Sequence, residues 1–317
     1  MAGQKEPMRP DDRILVIGAG VNGSVCAAAL HRAGYDVTVL ARGKQLEKLQ
    51  AVGIEIEDPL KGTRTVTRVP VVDRLASEDT YDYVLVVVRK NQVRDLLPVL
   101  AQNQSQSVVF MVNTASGPDE WIAALGAKRV MLGFVFAGGR REGSLIRAMR
   151  ARGLGTPFGE ANGAITERLT RLVSILNCAG LKAKAIADMP NWLVTHAAMV
   201  ATLAMFVLKH GCDTYALASS REDMGKLTDA MRETLAVLRA NGRRIVPRSV
   251  ILLDVLPRFV VKNFFRALMS SRFGEIGAGW HCSQAPDEMF QLARELMGLV
   301  VRSRLPAPVL RQLLATV

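Results

Sequence analysis

A glycine-rich segment near the start of the chain has the residue types and spacing that bind the pyrophosphate of a dinucleotide. An apolar run at 13–17 precedes it and an amphipathic stretch at 21–33 follows it, so it joins a predicted strand to a predicted helix. The helix N-terminus offers free N–H groups and a partial positive charge to phosphate oxygens. A turn that binds nothing is the alternative, but the βαβ context favours dinucleotide binding. The predicted cofactor-binding residues here are Gly18, Ala19, Gly20, Val21, Asn22 and Gly23.

The end of the second predicted strand indicates which dinucleotide binds. A site for NAD usually has an acidic residue there, which accepts hydrogen bonds from the ribose 2′-hydroxyl. This chain has Arg42 and Lys44 and no carboxylate between 40 and 44. A guanidinium suits the 2′-phosphate of NADP, which it can bind with two parallel hydrogen bonds. We therefore expect NADP as the cofactor, the alternative being that Arg42 is a solvated loop residue.

Polar residues also follow two later apolar strands, at the edge where ligands bind in open α/β sheets. Arg89 and Gln92 come after the run at 83–88, and Asn113 comes after the run at 107–112. We expect all three to line the cofactor crevice. Helix capping is the alternative for Asn91 and Asn113, because asparagine is a common N-cap residue.

The elements that position these residues alternate between strand and helix in the first part of the chain and are helical afterwards. Apolar strand patterns occur at 13–17, 36–40, 83–88, 107–112, 130–136 and 181–186, and a hairpin pattern at 138–150. Long helices are predicted at 191–210 and 219–241, the second with a capping box of Ser219 and Glu222. The pattern predicts an α/β Rossmann-type N-terminal domain, residues 1–187, followed by an all-α C-terminal domain, residues 188–317.

Composition restricts the class of partner. The chain of 317 residues has 41 Lys and Arg against 29 Asp and Glu, a formal charge of +12, but only 5% aromatic residues. Because base-stacking side chains are scarce, we expect a small-molecule substrate and no nucleic acid. The longest apolar stretch, 197–208, is too short to span a bilayer, and the N-terminus lacks a secretory signal pattern. The four dispersed cysteines suggest no metal site. A cytoplasmic protein without membrane association is expected.

The chain resembles the ketopantoate reductase family over nearly its whole length. The shared features are the glycine turn, Arg42, Gln92, Asn113, Phe158-Gly159-Glu160, Trp192, Asn241-Gly242 and Asp287-Glu288. The resemblance implies that NADPH delivers a hydride to the ketone of a branched 2-oxo acid. It also implies that a lysine two residues after the tryptophan donates the proton, that asparagines one and two turns later hold the substrate, and that a late serine and glutamate bind its hydroxyl groups.

Several of the family's substrate-binding positions differ here. Val194, Ala198 and Thr202 stand where the family has its lysine and two asparagines, and they share one helix face that is almost apolar. Glu288 matches the family's acid, but Ser270-Ser271 lies too far before it. The stretch 272–280 resembles an insertion that could close over the crevice as a lid. We therefore expect a substrate other than ketopantoate, and a more hydrophobic one.

The candidate catalytic residues are His196, Asn113 and Glu288. His196 lies on the helix of Val194 but about 200° around its axis, and a buried core histidine is the alternative. His281, after the insertion, is an equally weighted proton donor. Two functions remain open: an NADPH-dependent reductase of a 2-oxo acid or related carbonyl compound, or a catalytically inactive NADP-binding sensor or regulatory protein. The apolar helices also leave a monomer or a homodimer open.

Overall fold

The glycine turn connects the first strand of a large sheet to the first helix. The structure, a computed structural model, describes residues 12–135, 137–150 and 155–315, without the side chain of Arg150. Its strands are β1 (Arg13–Ile17), β2 (Asp36–Leu40), β3 (Ile54–Glu57), β4 (Arg64–Thr67), β5 (Val71–Val72), β6 (Tyr83–Val86), β7 (Val108–Phe110), β8 (Val130–Gly133), β9 (Ala137–Glu142), β10 (Leu145–Arg150), β11 (Thr156–Glu160) and β12 (Ala183–Ala185).

Within these residues, eight strands form one sheet in the order β12-β11-β8-β7-β6-β1-β2-β5. All neighbours are parallel except β11 and β8. The chain goes from β1 to β2 on one side and later to β6 on the other side of β1. The strand order therefore reverses at β1, and ligands of such sheets bind at the carboxyl ends of the strands beside this point. The central strands β6, β7 and β8 are apolar and fully buried, as expected where helices cover both faces of a sheet.

The remaining four strands form a second sheet, in the order β4-β3-β10-β9. β9 and β10 are the hairpin predicted at 138–150, and β10 pairs in parallel with β3. β9 packs against the helix that follows the glycine turn. The predicted strand at 130–136 ends at Gly133 in β8, and its last residue, Phe136, lies outside the described residues.

The helices are α1 (Val21–Arg32), α2 (Lys44–Ala51), α3 (Lys90–Gln102), α4 (Asp119–Leu125), α5 (Glu167–Cys178), α6 (Met189–Lys209), α7 (Thr214–Ser219), α8 (Arg221–Ala240), α9 (Leu252–Val255), α10 (Arg258–Met269), α11 (Arg272–Gly274), α12 (Trp280–Gln284), α13 (Pro286–Ser303) and α14 (Pro308–Leu314). A π-helical turn, Glu275–Gly279, joins α11 to α12. In the part of the chain that the structure describes, no strand follows β12. The structure thus confirms a Rossmann-type α/β fold followed by a helical region.

The predicted capping box of Ser219 and Glu222 is wrong by one residue. Ser220 is the N-cap of α8, and its side chain accepts a hydrogen bond from the backbone N–H of Asp223. The hydroxyl of Ser219 donates instead to the backbone carbonyl of Tyr215 in the preceding helix. Both serines have an acidic residue three positions later, so the sequence pattern alone does not distinguish which of them is the N-cap.

The helix α6 forms the centre of the helical region and packs against α8 and α13. Its length and apolar composition would suffice to cross a membrane, but 67% of its most apolar window is buried inside the protein. Such burial is typical of the core helix of a globular protein.

Candidate active site

The glycine turn has the geometry of a phosphate cradle. Gly18 has a φ of +110°, and a Cβ there would collide with the backbone carbonyl of Val87. A Cβ at Gly23 would collide with the carbonyl of Gly18, so both positions exclude every side chain. A Cβ at Gly20, by contrast, would meet nothing within 4 Å. The two outer glycines therefore hold the turn closed, and the middle one leaves the backbone open to a ligand.

The first turn of α1 is suited to an anion. Gly20 is its N-cap, no side chain caps it, and the turn contains no acidic residue. The amide oxygen of Asn22 is buried and has no hydrogen-bond partner among the described residues. The N–H groups of this turn and the positive end of the helix dipole therefore fit the pyrophosphate of a dinucleotide.

Arg42 and Lys44 lie at the carboxyl end of β2, beside the turn. Both side chains are exposed, and the structure records no hydrogen bond or ion pair from either of them within the residues it describes. Gly18 donates its backbone N–H to the carbonyl of Leu40, at a distance of 3.2 Å, which holds this strand end against the turn. Two free cations at this position fit a 2′-phosphate.

The two predicted cofactor ligands that follow β6, Arg89 and Gln92, are bonded within the protein. The guanidinium of Arg89 donates to both carboxylate oxygens of Asp287, at 3.0 and 3.2 Å, and to the backbone carbonyl of Gln284, at 2.6 Å. Asn91 donates to the same carboxylate at 2.8 Å. The side chain of Gln92 accepts a hydrogen bond from the backbone N–H of Arg89 at 3.2 Å, at the N-terminus of α3. These contacts join the α/β fold to the helical region at the edge of the crevice.

Glu288 is a buried acid directly behind the crevice. Its side chain is 6% exposed, and it accepts hydrogen bonds from the side chain of Asn113 and the backbone N–H of Lys90. Burial raises the pKa of Glu288 from its ordinary 4.5 to about 7, against the opposing charge of Arg89. The amide oxygen of Asn113 is buried and lacks a partner among the described residues. Asn113 can therefore accept a hydrogen bond from a ligand while it donates to Glu288.

A cavity of about 260 Å³ opens beside Asn22 and Asn113, and His196 and His281 both line it. Nε2 of His281 is 3.8 Å from the Glu288 carboxylate, and its 36% exposed side chain faces this cavity. His196 stacks on Trp192 with a centroid distance of 4.9 Å and packs on Phe134 at 4.3 Å. The structure thus brings together Asn113, Glu288 and both histidines.

Both imidazoles are neutral near pH 7. Burial, with a smaller electrostatic contribution from the neighbouring His281, lowers the pKa of His196 to about 4. Burial and the nearby guanidinium of Arg89 also lower the pKa of His281. A neutral imidazole still donates one N–H and accepts at its other nitrogen, so each ring can bond a polar ligand atom.

The rest of the cavity wall is apolar. Within the described residues that line it there is no Lys, Arg, Asp or Glu. The apolar lining consists of Phe134, Val135, Ala137, Met149, Val200, Leu203, Ala204, Leu268, Met269, Phe273, Ala278, Cys282 and Met289. Such a wall favours a ligand with a bulky apolar group.

The helix face carrying Val194, Ala198 and Thr202 does not border this cavity. Val194 is fully buried next to Gly117, and the Thr202 hydroxyl bonds that of Thr234 on α8 at 2.8 Å. The cavity is lined instead by the face of α6 that carries His196, Val200 and Leu203. The family's lysine face is thus turned into the helical core here, and the histidine on the other side of the helix reaches the crevice.

The stretch 272–280, predicted as a lid, forms a helical wall of the cavity. α11, the π-helical turn and α12 follow each other without a break. Gly138 on β9 lies against Gly277, where a Cβ would come within 2.9 Å of the Gly277 Cα. The ring of Trp280 lies 4.3 Å from the guanidinium of Arg140. This segment positions His281, the residue after Trp280.

Two charged residues of the site were not predicted. Arg141 on β9 donates a hydrogen bond to the backbone carbonyl of Ala19 in the glycine turn. Glu295 on α13 accepts hydrogen bonds from the backbone N–H groups of Ala115 and Ser116, at 2.7 and 2.9 Å, and so holds the loop after β7. Both contacts join residues more than 120 positions apart, which no local pattern signals.

Comparison with known proteins agrees with this description. A family model described as ketopantoate reductase PanE/ApbA matches residues 14–163. A curated 2-dehydropantoate 2-reductase of Archaeoglobus fulgidus is 29% identical over 178 residues, which are 56% of this chain and 56% of that protein. The aligned part thus spans about half the length of the curated relative. These matches confirm the resemblance to the family that the sequence indicates.

Solved structures share the fold over nearly the whole chain. A D-mandelate dehydrogenase, whose ternary structure contains NADH and anilino(oxo)acetate, aligns with a TM-score of 0.79 and 13% identity, covering 96% of each chain. The 2-dehydropantoate 2-reductase from Methylococcus capsulatus aligns with a TM-score of 0.73 and 22% identity, covering 96% of this chain and 95% of that one. At these identities the likeness shows the fold alone.

Proposed function

Because residues 14–163 match a family model described as ketopantoate reductase PanE/ApbA, we propose that this chain is an NADPH-dependent reductase of a 2-oxo acid or related carbonyl compound with a bulky apolar group. One observation carries the proposal: the glycine cradle and the cavity with Asn113, Glu288 and two histidines meet at the point where the strand order reverses. Residues 1–187 would bind the cofactor, and residues 188–317 would complete the substrate site and form any homodimer contact. We place the enzyme in the cytoplasm.

The residues present fit NADP. The open backbone at Gly20 and the N-terminus of α1 would hold the pyrophosphate. Arg42, with Lys44, would bind the 2′-phosphate, and the unpartnered oxygens of Asn22 and Asn113 would accept hydrogen bonds at the nicotinamide end. Arg89 and Gln92, at the N-terminus of α3 that follows β6, would border the cofactor. When bound, the reduced nicotinamide supplies a hydride to the carbonyl carbon.

The chain's own residues would supply the proton that the carbonyl oxygen needs. Near pH 7 about half of Glu288 carries a proton, because burial raises its pKa to about 7. We propose that this proton passes through His281, which lies between Glu288 and the cavity. The alkoxide becomes a hydroxyl, His281 returns to its neutral form, and Glu288 becomes a carboxylate that is reprotonated from solvent. Asn113 would hold Glu288 in place, and His196 would bond the substrate oxygen as a neutral donor.

The apolar wall supports a hydrophobic substrate. Met149, Leu203, Leu268 and Phe273 line the cavity, and burying an aromatic or branched group against them would contribute binding energy. An aromatic 2-oxo acid and its methyl ester share the aromatic group and differ in the negative charge and one methyl group, so comparing them tests the contribution of a carboxylate separately from that of the aromatic group.

Reduction of a panel of carbonyl compounds tests this function. NADPH oxidation would be followed with pyruvate, phenylpyruvate, benzoylformate and methyl benzoylformate. We expect at least one bulky compound to have a kcat/KM at least tenfold above that of pyruvate. Tight NADPH binding with no turnover on any compound would instead support the inactive sensor, for which Val194 in place of the family's lysine is the motivating observation.

A further inference from the structure

Arg141 reaches the glycine turn from outside the Rossmann fold. It lies on β9 of the four-stranded sheet, and its guanidinium donates to the carbonyl of Ala19, between the first two glycines of the turn. The backbone N–H of Arg141 also faces the side-chain carbonyl of Gln284, at 3.4 Å. β9 packs against both α1 and α12, and these contacts hold the Arg141 guanidinium at the glycine turn.

The charge of Arg141 is not compensated. Among the described residues no carboxylate forms an ion pair with it, whereas its strand neighbour Arg140 pairs with Glu142 at 2.6 Å. Arg147 on β10 also pairs with carboxylates, those of Glu57 and Glu142. Partial burial lowers the pKa of Arg141, so the folded protein carries a partly desolvated cation that has no ion-pair partner among the described residues. A charge that is partly removed from water in this way gains from a nearby anion.

The same place already favours an anion. The first turn of α1 has no acidic residue, and the open position at Gly20 leaves room beside its N–H groups. An anion in this turn would have backbone donors on one side and the Arg141 guanidinium on the other.

From this contact we propose that Arg141 is a ligand of the cofactor's pyrophosphate and closes over it from β9. The inference rests on the proposed NADPH-dependent function, since the pyrophosphate belongs to that cofactor. It assigns two anions of one ligand to two separate cationic groups: the 2′-phosphate to Arg42 and Lys44, and the pyrophosphate to Arg141.

The two assignments can be tested separately by measuring the affinities of wild-type and variant proteins for three ligands. Equilibrium titrations provide these affinities without any need for turnover. NADPH and 2′-phospho-ADP-ribose carry both anions, whereas 2′-AMP carries only the 2′-phosphate. We expect Arg141→Gln to lower the affinity for NADPH and for 2′-phospho-ADP-ribose by about 10- to 100-fold, the range of one or two charge-assisted hydrogen bonds. The affinity for 2′-AMP should stay within about twofold of the wild-type value. Arg42→Gln is expected to weaken all three.

Arg140→Gln is the matched control. Successive strand residues point to opposite faces of a sheet, and Arg140 stacks on Trp280 rather than contacting the turn. We expect this variant to bind NADPH like the wild type, although it removes the same charge from the same strand.

Two results would overturn the inference. One is a folded Arg141→Gln protein with wild-type affinity for 2′-phospho-ADP-ribose; the other is an equal loss for 2′-AMP, which would indicate general damage to the site. Should this variant not fold, Arg141→Lys keeps the charge without the planar fork. We expect Arg141→Lys to lower the affinity for NADPH about three- to tenfold. An unchanged affinity would also contradict the assignment. A wild-type protein that binds no NADPH would instead refute the proposed function.

Discussion

Glu288→Gln should make the protein more stable and less active, and the stability gain should depend on pH. The carboxyl accepts hydrogen bonds from Asn113 and from the backbone N–H of Lys90, which a glutamine oxygen can also accept. Burial raises the pKa of Glu288 from its ordinary 4.5 to about 7. Below pH 4.5 the folded and unfolded states both hold the proton. As the pH rises to about 7 only the unfolded state has released it, and stability is lost.

The size of this loss follows from linkage. Each pH unit over which only the folded state holds the proton lowers the free energy of unfolding by about 1.4 kcal/mol. Between pH 5 and pH 8, Glu288→Gln should therefore gain about 2 to 3 kcal/mol in stability relative to the wild type. This range, pH 5 to pH 8, lies above the pKa of about 4 of His196, so folded His196 stays neutral throughout the measurement. The groups facing Glu288, namely His281, Arg89 and Asp287, are the same in both proteins.

Reversible urea unfolding of both proteins at pH 5, 6.5 and 8, without cofactor, measures this difference. The account predicts a stability difference that widens across the series, together with a fall in kcat of about 100-fold, within the range for loss of a general acid. A stability difference that stays constant from pH 5 to pH 8 would mean that the pKa of Glu288 is not raised. The proposal that Glu288 supplies the proton that passes through His281 would then be wrong.

Three further substitutions test separate parts of the site. Arg42→Gln should weaken NADPH by about 10- to 100-fold and leave NADH unchanged in a fluorescence titration; an equal loss for both cofactors would contradict its assignment to the 2′-phosphate. His281→Gln should lower kcat by about 100-fold in steady-state assays with little change in NADPH affinity, and an unchanged kcat would exclude it as the proton donor. Leu203→Trp should raise the KM for methyl benzoylformate about tenfold by filling the cavity while leaving NADPH binding intact; an unchanged KM would place the substrate elsewhere.

The parts of the site that were predictable are those in which sequence neighbours act together. The glycine turn, the cations after β2 and Asn113 after β7 each follow a strand pattern directly, so the fold class and the edge of the sheet that carries the site could be derived. The strands at 13–17 and 36–40 have the predicted bounds. Later strands are shorter than the apolar runs, as with Tyr83–Val86 within the run at 83–88, because pairing depends on the neighbouring strands.

The unpredicted parts depend on how distant elements pack. The sequence gives the angle between His196 and Val194 on α6, but not which of the two faces the crevice. Packing of Thr202 against Thr234 on α8 settles that orientation. The contact of Arg141 with Ala19 likewise spans 122 positions and two sheets. Pairing of β10 with β3 brings this arginine to the turn. The hydrophobic pattern of the sequence does not indicate which distant strands pair.

The most direct test of the central claim is a single-turnover reaction with NADPH deuterated at C4 of the nicotinamide. The enzyme in excess over cofactor would be mixed with benzoylformate or with its methyl ester, and the alcohol product analysed by mass spectrometry. The account predicts one deuterium on the new carbinol carbon in at least one product, at a rate that falls in Glu288→Gln. Tight NADPH binding without any deuterated alcohol from either compound would contradict the account of a reductase acting on bulky carbonyl compounds.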